Sequence, residues 1–121
     1  MNFQYYLEIV SNYKLTKADK ELIKNLIENP DKIKDFEDLK EGIQVALVSN
    51  DFRNIEHIKN PTIKTQLAAI KQNPSAIRYF VNPSEELQLA AVKRDASAIR
   101  YLRNPSEEVK DAVKENIAAR P

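Results

Sequence analysis

The sequence predicts an all-α fold: a right-handed α-solenoid of four 22-residue two-helix repeats, with an N-terminal capping helix and a C-terminal partial repeat. Three observations carry this expectation. Residue types that cap helices recur every 22 positions, prolines follow them, and apolar pairs three residues apart keep the same register. The whole chain, residues 1–121, reads as a single α-helical repeat domain.

Residues 1–15 form the N-terminal cap. Phe3, Tyr6, Leu7 and Val10 fall at i, i+3, i+4 and i+7, which predicts one apolar helix stripe closing the array. The four aromatics there, Phe3, Tyr5, Tyr6 and Tyr13, serve as core closure, with Phe36 joining them where the first repeat packs. The alternative is a patch for a partner or a second copy, since a helix apolar on more than one side needs cover.

The repeats follow at 16–37, 38–59, 60–81 and 82–103. Thr16, Asp38, Asn60, Asn82 and Asn104 are expected to open the longer helix A of each repeat. Asn29, Asp51, Asn73 and Asp95 open the shorter helix B. All nine are Thr, Asp or Asn, whose short side-chain oxygens accept from the free amides of a first helical turn. Pro30, Pro61, Pro74, Pro83 and Pro105 follow such a residue directly, where a missing N–H costs nothing. Glu85, Glu107 and Asp19 stand three residues after Asn82, Asn104 and Thr16, the spacing of a capping box.

Helix A is expected to run about ten residues and helix B about two turns or fewer. Helix A carries Ile23/Leu26, Val45/Val48, Leu67/Ile70 and Leu89/Val92, with Ala46, Ala68 and Ala90 between the later pairs. Helix B carries Ile33/Phe36, Ile55/Ile58, Ile77/Phe80 and Ile99/Leu102. In the C-terminal cap, 104–121, Asp111 and Lys114 replace Leu89 and Val92 while Val109, Ala112, Val113 and Ile117 stay apolar. A terminal element with one polar side suits the end of a stacked array.

Composition narrows the function classes. Hydrophobic residues make up 42% and charged residues 31%, the balance of a soluble globular protein. No apolar run reaches the length of a membrane span, and the N-terminus has no basic lead and carries Glu8, against a signal peptide; a cytoplasmic protein is expected. Cysteine is absent, which removes disulfides and thiolate metal sites. Net charge is +1, divided as −2 over residues 1–60 and +3 over 61–121, too weak for a committed polyanion binder. The single glycine, Gly42, argues against phosphate-cradling loops and nucleophile elbows.

The segment NPTIKTQLAAIKQNPSAIRYFVNPSEELQLAAVKRDASAIRYLRNPSEE resembles the short tandem α-repeats of the leucine-rich-variant type, relatives of HEAT and armadillo arrays. The resemblance is close over residues 60–108 and faint over 16–59. The repeat here is slightly short for that family, and the cysteine cluster of some members is missing. The resemblance implies alternation of a longer helix with a shorter, 3₁₀-like one. It also implies a binding scaffold without catalytic residues, of a kind common in bacterial and phage proteins.

Exposed ladders of such an array are where binding would be written. Helix B offers two, Lys34-Glu56-Arg78-Arg100 and Asp35-His57-Tyr79-Tyr101. Arg and Tyr bring large contact area with directional polar tips. Arg78, Tyr79, Arg100, Tyr101, Arg103 and His57 are therefore the candidate partner-binding residues. The plainer alternative half-buries the tyrosines and pairs the arginines with Glu85 or Glu86. Lys71, Lys93, Arg94, Arg100 and Arg103 form either a positive strip or one side of a charge-balanced face. His57 is the sole histidine, with no second histidine or cysteine to build a metal site.

The expected function is that of a non-enzymatic protein–protein interaction module, a monomer or weak homo-oligomer with no cofactor, metal or membrane partner. A phage or mobile-element inhibitor of a host defence protein is the form the resemblance implies. The alternative is a HEAT-like nucleic-acid binder using the C-terminal basic and aromatic strip.

Overall fold

The computed structural model describes residues 3–118, and all regular structure among them is helical. The elements are α1 (Phe3–Asn12), α2 (Lys17–Glu28), η1 (Pro30–Asp35), α3 (Glu41–Asn50), η2 (Phe52–His57), α4 (Ile63–Gln72), η3 (Pro74–Tyr79), α5 (Glu85–Arg94), η4 (Ala96–Tyr101) and α6 (Glu107–Ala118). Those labelled η are 3₁₀ helices of six residues. From α2 onward a longer α-helix and a short 3₁₀ helix alternate. The chain divides into two compact units, Met1–Ala68 and Ala69–Pro121, the division falling within α4.

In the first unit α3 is the central element, buried continuously from Gly42 to Ser49 and packed against α1, α2 and η2. A helix apolar on nearly all sides belongs in the middle of its neighbours. Its polar groups are met locally. Gln44 Nε2 donates to the Leu39 carbonyl at 2.9 Å, and Asn54 Nδ2 donates to the Leu47 carbonyl at 2.9 Å. Gln44 Oε1 accepts from Thr62 N at 3.1 Å and from the Thr65 hydroxyl at 3.0 Å.

Helix α1 ends in a left-handed turn. Lys14 has φ of 52°, while Leu15 N donates to the Val10 carbonyl at 3.0 Å and Lys14 N to the Ser11 carbonyl at 3.2 Å. This is a Schellman closure with lysine where glycine is usual. The turn brings Leu15 into the core, and Tyr13 lies half-buried against Gly42 of α3.

The buried face of α1 differs from the expected stripe. Ile9 is the buried residue, flanked by half-buried Tyr6, Val10 and Tyr13, and Leu7 is exposed. The Phe3 side chain lies outside the described ones. Two overlapping stripes satisfy the same helical spacing, and packing of α1 on α3 selects the one that starts three residues later, at Tyr6. Phe36 is also exposed rather than joined to the aromatic group.

In the second unit α5 packs against α6, η3 and η4. Leu87, Ala91 and Val92 of α5 are buried, with Val109 and Ala112 of α6 and Ile77 of η3. Leu89, expected in the core, is only half-buried. The deeper positions fall two residues earlier: Ile43, Thr65, Leu87 and Val109, spaced by 22, are each no more than 2% exposed. Thr65 breaks the apolar pattern of that series, so hydropathy alone passes over it.

Helix starts also differ from expectation. Thr16 caps α2 and forms a full capping box with Asp19, as its spacing predicts. Asn82 does not cap α5; Ser84 does, accepting from Leu87 N at 3.3 Å. Ser106 and Thr62 accept likewise from Val109 N and Thr65 N, so Asn104 and Asn60 are displaced as caps too. Helix α3 starts after Lys40, not after Asp38. The reason is visible in Asn82-Pro-Ser-Glu-Glu. A serine cap puts Glu85 and Glu86 in the first turn, against the positive end of the helix dipole. It also leaves the Pro83 carbonyl outside the helix, where Gln88 Nε2 donates to it at 3.0 Å. The 3₁₀ helices keep their expected caps at Asp51, Asn73 and Asp95, whereas Asn29 makes no capping bond and its side chain donates back to Asn25.

Candidate binding site

The candidate site lies in the second unit, on η3, η4 and the segments that leave them. Both 3₁₀ helices begin the same way. Asn73 Oδ1 accepts from Ser75 N at 3.0 Å and from the Ser75 hydroxyl at 2.8 Å. Asp95 Oδ1 accepts from Ser97 N and the Ser97 hydroxyl at the same two distances. Three residues per turn then set the faces. Ala76 and Ile77 point inward, Arg78 is exposed, and Tyr79 is half-buried. In η4, Ala98 is buried, Arg100 exposed and Tyr101 half-buried.

The two Arg-Tyr pairs interlock. Arg78 Nη2 donates to the Tyr79 hydroxyl at 3.0 Å, and its guanidinium carbon lies 5.0 Å from the Tyr79 ring centre and 6.0 Å from that of Tyr101. Arg100 lies 5.1 Å from the centre of the same Tyr101 ring. Tyr101 is thus shared by both guanidiniums. Each contact is of cation–π type, attractive and oriented. The Tyr79 hydroxyl beside it is the main influence holding the Arg78 guanidinium above its already high ordinary pKa, so it stays charged.

A cavity of about 680 Å³ opens beside these pairs. Arg78, Tyr79, Tyr101 and Arg103 line it, together with Asn82 and Asn104, and no aspartate or glutamate does. Among the described residues Arg78, Arg100 and Arg103 form no ion pair with a carboxylate; Glu85 instead accepts from the Ser106 hydroxyl at 2.6 Å. Half-burial of the tyrosines agrees with the plainer expectation, and pairing of the arginines with Glu85 does not.

Five of the six expected residues therefore meet in one place: Arg78, Tyr79, Tyr101 and Arg103 in the cavity wall and Arg100 over Tyr101. His57 ends η2 in the first unit, half-buried, and does not line this cavity. Missed were Asn82, Asn104 and Val81, the last 90% exposed. A signal for the asparagines was present. If Ser84 and Ser106 start the helices, a 22-residue repeat of asparagine two positions earlier has some other use.

No group of three or more His, Cys, Asp or Glu side chains that could hold a metal ion occurs among the described residues. No helix among them is long and apolar enough to cross a membrane. Comparison with protein-family models, curated proteins and solved structures finds no match for this chain.

Proposed function

We propose that the chain is a non-enzymatic protein-binding scaffold, built as a right-handed α-solenoid of 22-residue repeats, which holds its partner on the Arg-Tyr ladder of η3 and η4. What supports the reading most is the convergence of Arg78, Tyr79, Tyr101 and Arg103 on one cavity, with Arg100 stacked on the shared Tyr101 ring. Arginine and tyrosine held in place by one another present contact area that has already given up much of its freedom. Less ordering entropy is then lost on association. The repeat architecture is supported by the alternation of α and 3₁₀ helices and by the burial of positions 43, 65, 87 and 109. The resemblance to repeat proteins of bacteria and phages supports a host protein as the partner, inhibited by occlusion of its surface.

Affinity capture with the tagged protein from host lysate tests this. The double variant Arg78→Ala/Tyr79→Ala is expected to lose the captured partner while its helical circular-dichroism signal stays unchanged. Capture that survives in the folded double variant refutes the site.

A further inference from the structure

We infer that the occupant of the Arg-Tyr cavity is an extended acidic peptide segment with carboxylates two residues apart. This rests on the binding reading above and names the chemistry of the partner.

Charge comes first. Arg78 and Arg103 line the cavity, Arg100 lies over the Tyr101 ring of its wall, and no carboxylate lines the cavity or pairs with these three among the described residues. Arg78 uses one N–H on the Tyr79 hydroxyl, and its planar fork carries further N–H donors of the kind that grip a carboxylate. Stacking on tyrosine fixes the plane of that fork, which makes the site directional and not merely positive.

Spacing comes second. Arg78 and Arg100 both lie within 6.0 Å of the Tyr101 ring centre, so their guanidiniums are at most roughly 11 Å apart. Alternate side chains of an extended chain project to one side about 6.5 Å apart, within the reach of two flexible carboxylate arms toward those two positions. Consecutive residues of a strand point to opposite faces, so carboxylates at i and i+2 can face one wall together whereas those at i and i+1 cannot.

The third observation separates a peptide from a nucleic-acid backbone. Asn82 and Asn104 are exposed, line the cavity and are relieved of helix capping by Ser84 and Ser106. Neither side chain makes a hydrogen bond among the described residues. A carboxamide offers a donor and an acceptor side by side, the complement of one peptide unit. A phosphodiester backbone offers acceptors alone and so matches only the amide N–H half of each carboxamide. Val81, 90% exposed on the same wall, gives apolar contact to the aliphatic parts of a peptide.

The test is an NMR and fluorescence-anisotropy titration of the full chain with three probes. They are an end-capped eight-residue peptide alternating glutamate and leucine, the same peptide with glutamine for glutamate, and an eight-nucleotide oligothymidylate. The glutamate peptide is expected to bind, shifting the Arg78 and Arg100 side-chain resonances. Affinity should fall about tenfold or more with the glutamine peptide, in Arg78→Ala/Arg100→Ala and in Asn82→Ala/Asn104→Ala, each variant checked for native circular dichroism. Binding of oligothymidylate in preference to the glutamate peptide overturns the inference in favour of nucleic acid. Equal binding of the glutamate and glutamine peptides overturns it as well. If neither peptide binds while host-protein capture still depends on Arg78 and Tyr79, the acidic occupant is wrong and the binding scaffold stands. If that capture is lost as well, both fail.

Discussion

The Thr65 hydroxyl donates to Gln44 Oε1 at 3.0 Å in the first unit, and two 22-residue steps further on the same pair reads Val109 and Gln88. Both glutamines donate back to the carbonyl five residues earlier, Leu39 and Pro83. Gln88 Oε1, however, is buried with no partner among the described residues. An unmet buried acceptor costs about 1–3 kcal/mol, and of the two donors that serve Gln44 Oε1 the hydroxyl has no counterpart at Val109. Val109→Thr is therefore expected to leave stability within about 0.5 kcal/mol of the parent or to raise it by up to about 1 kcal/mol. Val45→Thr in α3, where no side-chain acceptor is left open, should lose about 1–3 kcal/mol. Urea unfolding of both variants decides it: an equal loss means the Gln88 oxygen is out of reach of position 109.

Cap substitution distinguishes the two readings of Asn82-Pro-Ser. Ser84→Ala removes the acceptor for Leu87 N and is expected to cost about 1 kcal/mol, as is Ser106→Ala beside Val109 N. Asn82→Ala removes no helix bond and should stay within about 0.5 kcal/mol of the parent. Thermal or urea midpoints that drop as far for Asn82→Ala as for Ser84→Ala would show that asparagine caps α5 after all.

Much of the helix order could be read from sequence, because capping chemistry and apolar spacing are local. Thr16, Asp51, Asn73 and Asp95 cap where their register says they should, and the Arg-Tyr pairs of the candidate site lie on the short helices they were assigned to. Three things were not legible. Asn-Pro-Ser contains two valid caps, and residue type and spacing alone do not choose Ser84 over Asn82 or Ser106 over Asn104. The face of α1 was ambiguous because Tyr6, Ile9 and Val10 match the template as well as Phe3, Tyr6 and Leu7. The burial of Thr65 was not legible because it is decided by what stands opposite, the Gln44 side chain that accepts its hydroxyl.

Asp19 gives the first unit a pH-dependent element. The Thr16 backbone N–H foremost, and then the Lys40 ammonium at 3.0 Å, hold its carboxyl below the usual aspartate range. A depressed folded pKa adds stability above the unfolded value, near pH 4, and that stability is lost as pH falls through the folded pKa. Asp19→Asn is thus expected to be less stable than the parent between pH 5 and 7, with the gap closing below about pH 4. Since the Lys40 side chain is 62% exposed, Lys40→Met should lose less than Asp19→Asn. Chemical denaturation at a series of pH values reads both; a gap unchanged at acid pH would remove the carboxylate from the explanation.

Gly42 sets two rules against each other, and geometry says which wins. Helix propensity alone favours alanine over glycine inside a helix by about 1 kcal/mol. A Cβ at position 42 would stand 2.6 Å from Tyr13 Cβ and 2.9 Å from Leu15 Cδ2. The first of these is fixed to the backbone of the left-handed turn that closes α1, so it cannot swing aside as the end of a long side chain can. Overpacking of this kind costs about 1–3 kcal/mol, and Gly42→Ala is expected to destabilise despite its propensity gain. Replacing Tyr13 by alanine keeps the clashing Cβ and should not rescue the variant. Tyr13→Gly removes that atom, and the double variant Tyr13→Gly/Gly42→Ala should lose less than the two single variants together, with a coupling of at least about 1 kcal/mol. Additive losses in that cycle, or a Gly42→Ala chain more stable than its parent, would mean that α1 does not sit against α3 through Tyr13.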